Sequence, residues 1–378
     1  MRRCFLIFLI CLLVPALAVA KPAEPVVTAK SAIVIEATTG KVLFAKNADE
    51  IRYPASSTII MTLITALEHG HLDDVVTASE NAARTEGSSI WLEPGEQLKM
   101  MDLLYGIMLV SGNDASVAVA EHIAGSTEKF AKLMTEKAHA IGATRTNFTN
   151  SSGLPDPKHV STARDLAKIT AYGYKNPLFE QIVSTYHKVI PWPGKEFDRD
   201  LYNENKLLWM YEGSNGVKTG YTDAAGPCLV SAAKRRGIQL IAVVLDSDFM
   251  WKDSIALLDY GFSQVEPHEL YPQGEIMKTV WVAYGNKDSV PLVTAKEIVV
   301  PVSNDDKDKF HTVIECPKKV EAPIAAGQKV GTVKVFYENA EVAAVDLVTA
   351  EAIERKTFFG LLWSSLWKLF TFLIKNIA

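Results

Sequence analysis

The chain has 378 residues, with 39 Lys and Arg against 44 Asp and Glu and a formal net charge of −5 at pH 7. Its basic residues are scattered rather than clustered, which excludes the electrostatic footprint of a nucleic-acid partner. With 48% hydrophobic residues it can bury large cores, and its length predicts two or more domains.

The first twenty residues read separately from the fold. Arg2 and Arg3 form a short basic region, Cys4 to Val14 is an unbroken apolar run, and Ala18-Val19-Ala20 places small residues ahead of Lys21. That is the layout of a cleavable signal peptide over residues 1–20, with an uncleaved N-terminal anchor as the competing reading. The mature chain is therefore expected outside the cytoplasm. Cys4 and Cys11 leave with the signal, so Cys228 and Cys316 remain, either as two structural thiols or joined in a disulfide. No CxxC or Cys/His cluster exists to hold a metal.

A first module, residues 25–265, mixes strand and helix patterns. Ser31 to Glu36 and Val42 to Ala45 read as strands around the Thr38-Thr39-Gly40 turn, and helices dominate through Lys168. Strands return at Gly216 to Tyr221, Cys228 to Ala233 and Ile238 to Asp246, and a helix around Trp251 to Tyr260 closes the module. Strands from both ends predict one sheet flanked by a helical lobe. Residues 267–350 carry short alternating segments such as Glu297 to Val302 and Lys329 to Tyr337, a small all-β module. The last stretch, 356–378, includes TFFGLLWSSLWKLFTFLIKNIA. Thr357, Gly360, Ser364, Lys368, Thr371 and Lys375 recur every three or four residues, a narrow polar stripe on an otherwise apolar helix. It fits an amphipathic helix lying in a membrane interface; a membrane-spanning helix and docking on the chain itself are the alternatives.

Three motifs in the first module carry chemistry. Pro54 opens a helix, so Ser56 stands near its N-terminus, where backbone N–H groups and the dipole favour developing negative charge. Taken alone, Ser56 reads as an N-cap. Ser111-Gly112-Asn113 falls at a break between helices, where a hydroxyl and a carboxamide can share one cleft wall; alone it reads as a turn. Lys218-Thr219-Gly220-Tyr221 lies on a strand, where Lys218 would place a cation beside a nucleophile and Thr219 offers a hydroxyl to a carboxylate. Gly220 there leaves room for an extended substrate along the strand edge.

In that order and at those spacings the three motifs are far more specific than any one of them. The chain resembles the serine penicillin-recognising enzymes and, within them, the low-molecular-weight D-alanyl-D-alanine carboxypeptidases. SAIVIEATTGKVLFAKNADEIRYPASS, SGNDASVAVAEHIAGS, TNFTNSSGLPDP and GVKTGYTDAAGPCLVSAAKRRG carry the likeness, with the signal, the β module and the terminal helix. The resemblance implies a fold of the α/β (α+β) β-lactamase-like type, followed by the all-β domain and the amphipathic helix. It implies that Ser56 attacks the terminal D-Ala-D-Ala bond of a peptidoglycan stem peptide and forms an acyl-enzyme that water clears. The Ser56 N–H and one near Tyr221 would form the oxyanion hole, and Ser111 would relay a proton to the leaving amine. Asn113 would hold the substrate's peptide group, and Lys218 and Thr219 its carboxylate. β-Lactams would acylate the same serine, and no metal or cofactor is implied.

One residue departs from the pattern. The family's first motif is Ser-x-x-Lys, whose lysine is the base, and this chain has Ile59 three residues after Ser56. An alkyl group cannot take the proton, and losing one member of such a constellation typically leaves about 10³–10⁴ over water. No lysine occurs between Lys46 and Lys99, and His69 lies thirteen residues on, roughly 20 Å along the helix. Lys218 acting through Ser111 is the remaining route. The sequence therefore leaves two readings, a working carboxypeptidase of reduced rate and a binding protein without turnover; a β-lactamase fits the β module and anchor less well.

Overall fold

The computed structural model describes residues 23–303 and 306–356, together with Trp363, Leu366, Trp367, Phe370 and Phe372. The expected signal peptide and nearly all of the expected terminal helix lie outside the described residues. No described helix is long and apolar enough to cross a membrane.

Ser31–Glu36 (β1) is buried at every position, which suits a central strand covered on both faces. The chain turns at Gly40 and returns as Val42–Lys46 (β2). Three further strands come from the far end of the module: Ser214–Thr222 (β3), Gly226–Arg235 (β4) and Ile238–Leu245 (β5). They close one antiparallel sheet in the order β2-β1-β5-β4-β3, as expected from strands at both ends. β3 is therefore an edge strand, with one side turned away from the sheet.

Six helices cover one face: Ile59–His69 (α1), Met100–Val110 (α2), Asn113–Ala124 (α3), Thr127–Ala140 (α4), Ala163–Gly173 (α5) and Pro177–Val183 (α6). α1 runs through their middle and touches the other five. Its residues from Ile59 to Ala66 are all buried, Thr62 and Thr65 among them, as a mainly apolar helix enclosed on every side requires. The opposite face is covered by Met250–Gln264 (α7), whose Leu257 and Leu258 pack with Val34, Leu240 and Val244 of the sheet. Burying each such side chain contributes about 1.5–3 kcal/mol.

The second module is built on Ile276–Ala283 (β6), Ser289–Thr294 (β7), Phe310–Glu315 (β8), Lys319–Glu321 (β9), Lys329–Tyr337 (β10) and Ala340–Thr349 (β11). They form one sheet in the order β8-β10-β11-β7-β6-β9 over a core of Val280, Val290, Leu292, Val333, Val335 and Leu347. Glu266–Tyr271 pairs with Ile298–Val302 beside it. Lys41, in the turn between β1 and β2, reaches Asp306 of this module at 2.6 Å, and the Asp306 side chain is almost wholly buried. Cys228 and Cys316 sit one in each module and are both free thiols.

Candidate active site

Ser56 does not cap a helix, contrary to its reading in isolation. It lies inside a 3-10 turn, Ala55–Thr58, that leads into α1, and Pro54 holds the cap position with no side-chain bond. The Ser57 N–H donates to the Pro54 carbonyl at 3.1 Å. Ala55, just before Ser56, has φ +47°, a left-handed conformation that costs a non-glycine residue about 1–3 kcal/mol.

Two glycines hold this turn in place. A Cβ at Gly153, itself at φ +88°, would lie 1.9 Å from the Ala55 carbonyl oxygen and 3.0 Å from the Ser56 nitrogen. A Cβ at Gly220 on β3 would lie 3.0 Å from the Ser56 nitrogen and 3.1 Å from that of Ser57. The Ser56 turn is thus clasped between the Gly153 loop and the edge strand. The missing side chain at Gly220 lets the strand approach the Ser56 backbone, in addition to clearing its edge. Behind the turn stands His159. Its Nδ1 accepts the Thr149 N–H at 3.1 Å, so the proton is on Nε2, which donates to the Thr58 hydroxyl at 2.7 Å. Burial pushes this imidazole down to about 4, with Asp156 opposing, so it is a neutral structural group.

Ile59 begins α1 and is fully buried among the core residues of the helical lobe. It offers packing where the resemblance calls for a base.

Ser111 occupies the break between α2 and α3 at φ +62°, ψ +29°, and Asn113 opens α3. The Asn113 carboxamide donates to the Glu86 carbonyl at 2.8 Å. Its Oδ1 and the Ser111 hydroxyl are buried with no hydrogen-bond partner among the described residues. Buried polar atoms left so are uncommon, and a substrate peptide group is the kind of partner they fit. Asp114, which the motif reading passed over, holds the adjacent wall. It accepts from the Ile90 and Leu92 N–H groups and from the Ser89 hydroxyl, at 3.1, 2.9 and 2.7 Å. Its only sequence signal is a carboxylate in the first turn of a helix.

Lys218 lies on β3 with its side chain 1% exposed. Its Nζ donates to the Thr219 carbonyl at 3.1 Å and to the Thr219 hydroxyl at 3.2 Å. Burial pushes this ammonium down to about 8, against the opposing pull of the Glu204 carboxylate. Glu204 itself had no place in the motif reading. It accepts from the Thr219 hydroxyl at 3.2 Å and stands 3.9 Å from Lys218 Nζ. Its N–H donates to the Leu109 carbonyl at 3.0 Å, next to Ser111. A continuous path of contacts therefore runs from the Ser111 end of α2 through Glu204 and Thr219 to Gly220 and Ser56. Tyr221 turns its side chain outward to Asp223, which leaves only its backbone for the cleft.

Residues 18–249 match the family model described as D-alanyl-D-alanine carboxypeptidase (Peptidase_S11), and residues 266–355 match that of the penicillin-binding protein 5 C-terminal domain. The chain is 38% identical over 342 residues to the D-alanyl-D-alanine carboxypeptidase DacF of Bacillus subtilis, covering 88% of this chain and 87% of that one. It is 32% identical to DacA of Haemophilus influenzae over 359 residues, 90% of this chain and 88% of the other. Among solved structures, penicillin-binding protein 5 from Haemophilus influenzae superposes with a TM-score of 0.63 at 31% identity, over 88% of this chain and all of that one. A peptidoglycan synthesis regulatory factor from Streptococcus pneumoniae gives a TM-score of 0.70 at 26% identity, over 87% of this chain and all of that one.

Proposed function

The chain belongs to the Peptidase_S11 family of serine D-alanyl-D-alanine carboxypeptidases, and from that premise we propose that it captures D-Ala-D-Ala ends of peptidoglycan stem peptides and acylates Ser56 slowly. The observation that carries this reading is the pair of buried, unpartnered polar atoms, Ser111 Oγ and Asn113 Oδ1, at one end of the contact path to Ser56.

In the proposed reaction the Ser56 Oγ–C bond forms as the D-Ala–D-Ala C–N bond breaks. The serine proton passes by way of Ser111 to the leaving amine, and water then hydrolyses the ester. The Ser56 N–H, together with one from β3 near Tyr221, donates to the oxyanion and stabilises its charge. Ile59 cannot start that proton transfer. Lys218, held near 8, is neutral in roughly a tenth of molecules at pH 7 and supplies the alternative base through Ser111. The resulting protein binds its substrate and turns it over slowly. β-Lactams form the same acyl bond.

Residues 1–20 direct export in this reading, and residues 357–378 tether the protein to the outer face of the cytoplasmic membrane. The polar stripe of that segment and the exposed Trp363, Leu366 and Phe370 support the tether.

Single-turnover labelling with a fluorescent penicillin tests the proposal, using the protein alongside Ser56→Ala and Lys218→Ala. Slow labelling that disappears in both variants is expected. Label retained in Ser56→Ala overturns the nucleophile, and full-rate labelling in Lys218→Ala overturns the alternative base.

A further inference from the structure

Two buried asparagines present Glu204 to the cleft. Asn203 donates from its carboxamide to the Thr185 carbonyl at 2.9 Å and accepts the Asn205 N–H at 2.9 Å. Asn205 in turn accepts the Leu207 N–H at 3.1 Å, and the Glu204 N–H is fixed on Leu109. The loop is therefore anchored on both sides of Glu204, and the carboxylate is directed at Thr219 and Lys218. Those are the groups that the resemblance assigns to a substrate carboxylate. One ammonium and one carboxylate already balance there, so an arriving carboxylate meets a neutral corner with its hydroxyl engaged.

We infer that Glu204 is a specificity-determining residue that biases the Lys218–Thr219 corner against a free C-terminal carboxylate and toward an uncharged peptide end, such as an amide. This rests on the reading of that corner as the subsite for the substrate's C-terminus. Two carboxylates about 5 Å apart repel by more than the tenfold-affinity equivalent of 1.4 kcal/mol at an effective dielectric near 20. The half-exposed Glu204 is partly screened, which brings the expected effect to about tenfold.

The test is calorimetric titration of the full chain, and of Glu204→Gln and Glu204→Ala, with a peptide ending in D-Ala-D-Ala as free acid and as C-terminal amide. The expected result in both variants is about tenfold tighter binding of the acid, with the amide changed less than twofold. Thermal melting confirms that the variants are folded, which the exposure of Glu204 favours. Parallel changes for acid and amide, or no change for either, overturn the assignment of Glu204 while leaving the cleft a peptide site. Binding of neither peptide by any of the three proteins overturns the cleft reading and this inference together.

Discussion

Replacing Lys218 with methionine tests the energetic cost of the site, independently of turnover. The ammonium is held at about 8 instead of the ordinary 10.5 because it is buried. At about 1.4 kcal/mol per tenfold in proton affinity, keeping it charged costs the folded state about 3 kcal/mol at pH 7. The unfolded chain binds this proton up to about pH 10.5 and the folded chain only up to about 8. Native stability therefore rises with pH between those limits, and the cost is fully present below 8. Methionine fills a similar apolar volume with no charge to desolvate. Urea denaturation of both proteins at pH 7 and pH 10 is the assay. Lys218→Met should be more stable at pH 7 by about 2–3 kcal/mol, with most of that difference gone by pH 10. A variant less stable than the native chain at pH 7, or a difference independent of pH, would show that the buried ammonium does not carry this cost.

His159 titrates with the same sign at acid pH. Folded, it stays neutral down to about 4, whereas the unfolded imidazole takes its proton near 6.5, so stability falls as the pH drops through that window. The loss reaches up to about 3 kcal/mol and should be absent from the stability curve of His159→Gln, measured by urea unfolding from pH 7 to pH 4. Gly153→Ala drives a methyl group into the Ala55 carbonyl and places a side chain at φ +88°. It should cost about 2–4 kcal/mol in denaturant unfolding and slow penicillin acylation of Ser56 at least tenfold; native stability would show that the Gly153 loop does not clasp the turn.

Much of the fold is legible in the sequence because its apolar runs are distinct. AIVI and LIAVVL are unbroken and lie in two of the sheet's three inner strands, β1 and β5, while the alternation in Lys329–Tyr337 marks a half-covered strand. Ser56, Ser111, Asn113, Lys218 and Thr219 are readable as a set through their order and spacing. What surrounds them is less so, since it is assembled from loops distant in sequence. Gly153 and His159 reach the Ser56 turn from about a hundred residues away, and nothing periodic announces them. The reading of Ser56 as a cap fails for the same reason: the left-handed Ala55 that sets its turn is held by Gly153 rather than by any local preference. Glu204 is an ordinary glutamate between two asparagines until Thr219 is brought beside it.

D-Ala release from a D-Ala-D-Ala peptide, measured for the protein and for Ile59→Lys, shows whether the cleft lacks only the base that Ile59 replaces. Restoring the base should raise kcat by several powers of ten. Equal and substantial rates in the two proteins would show that no base is lacking.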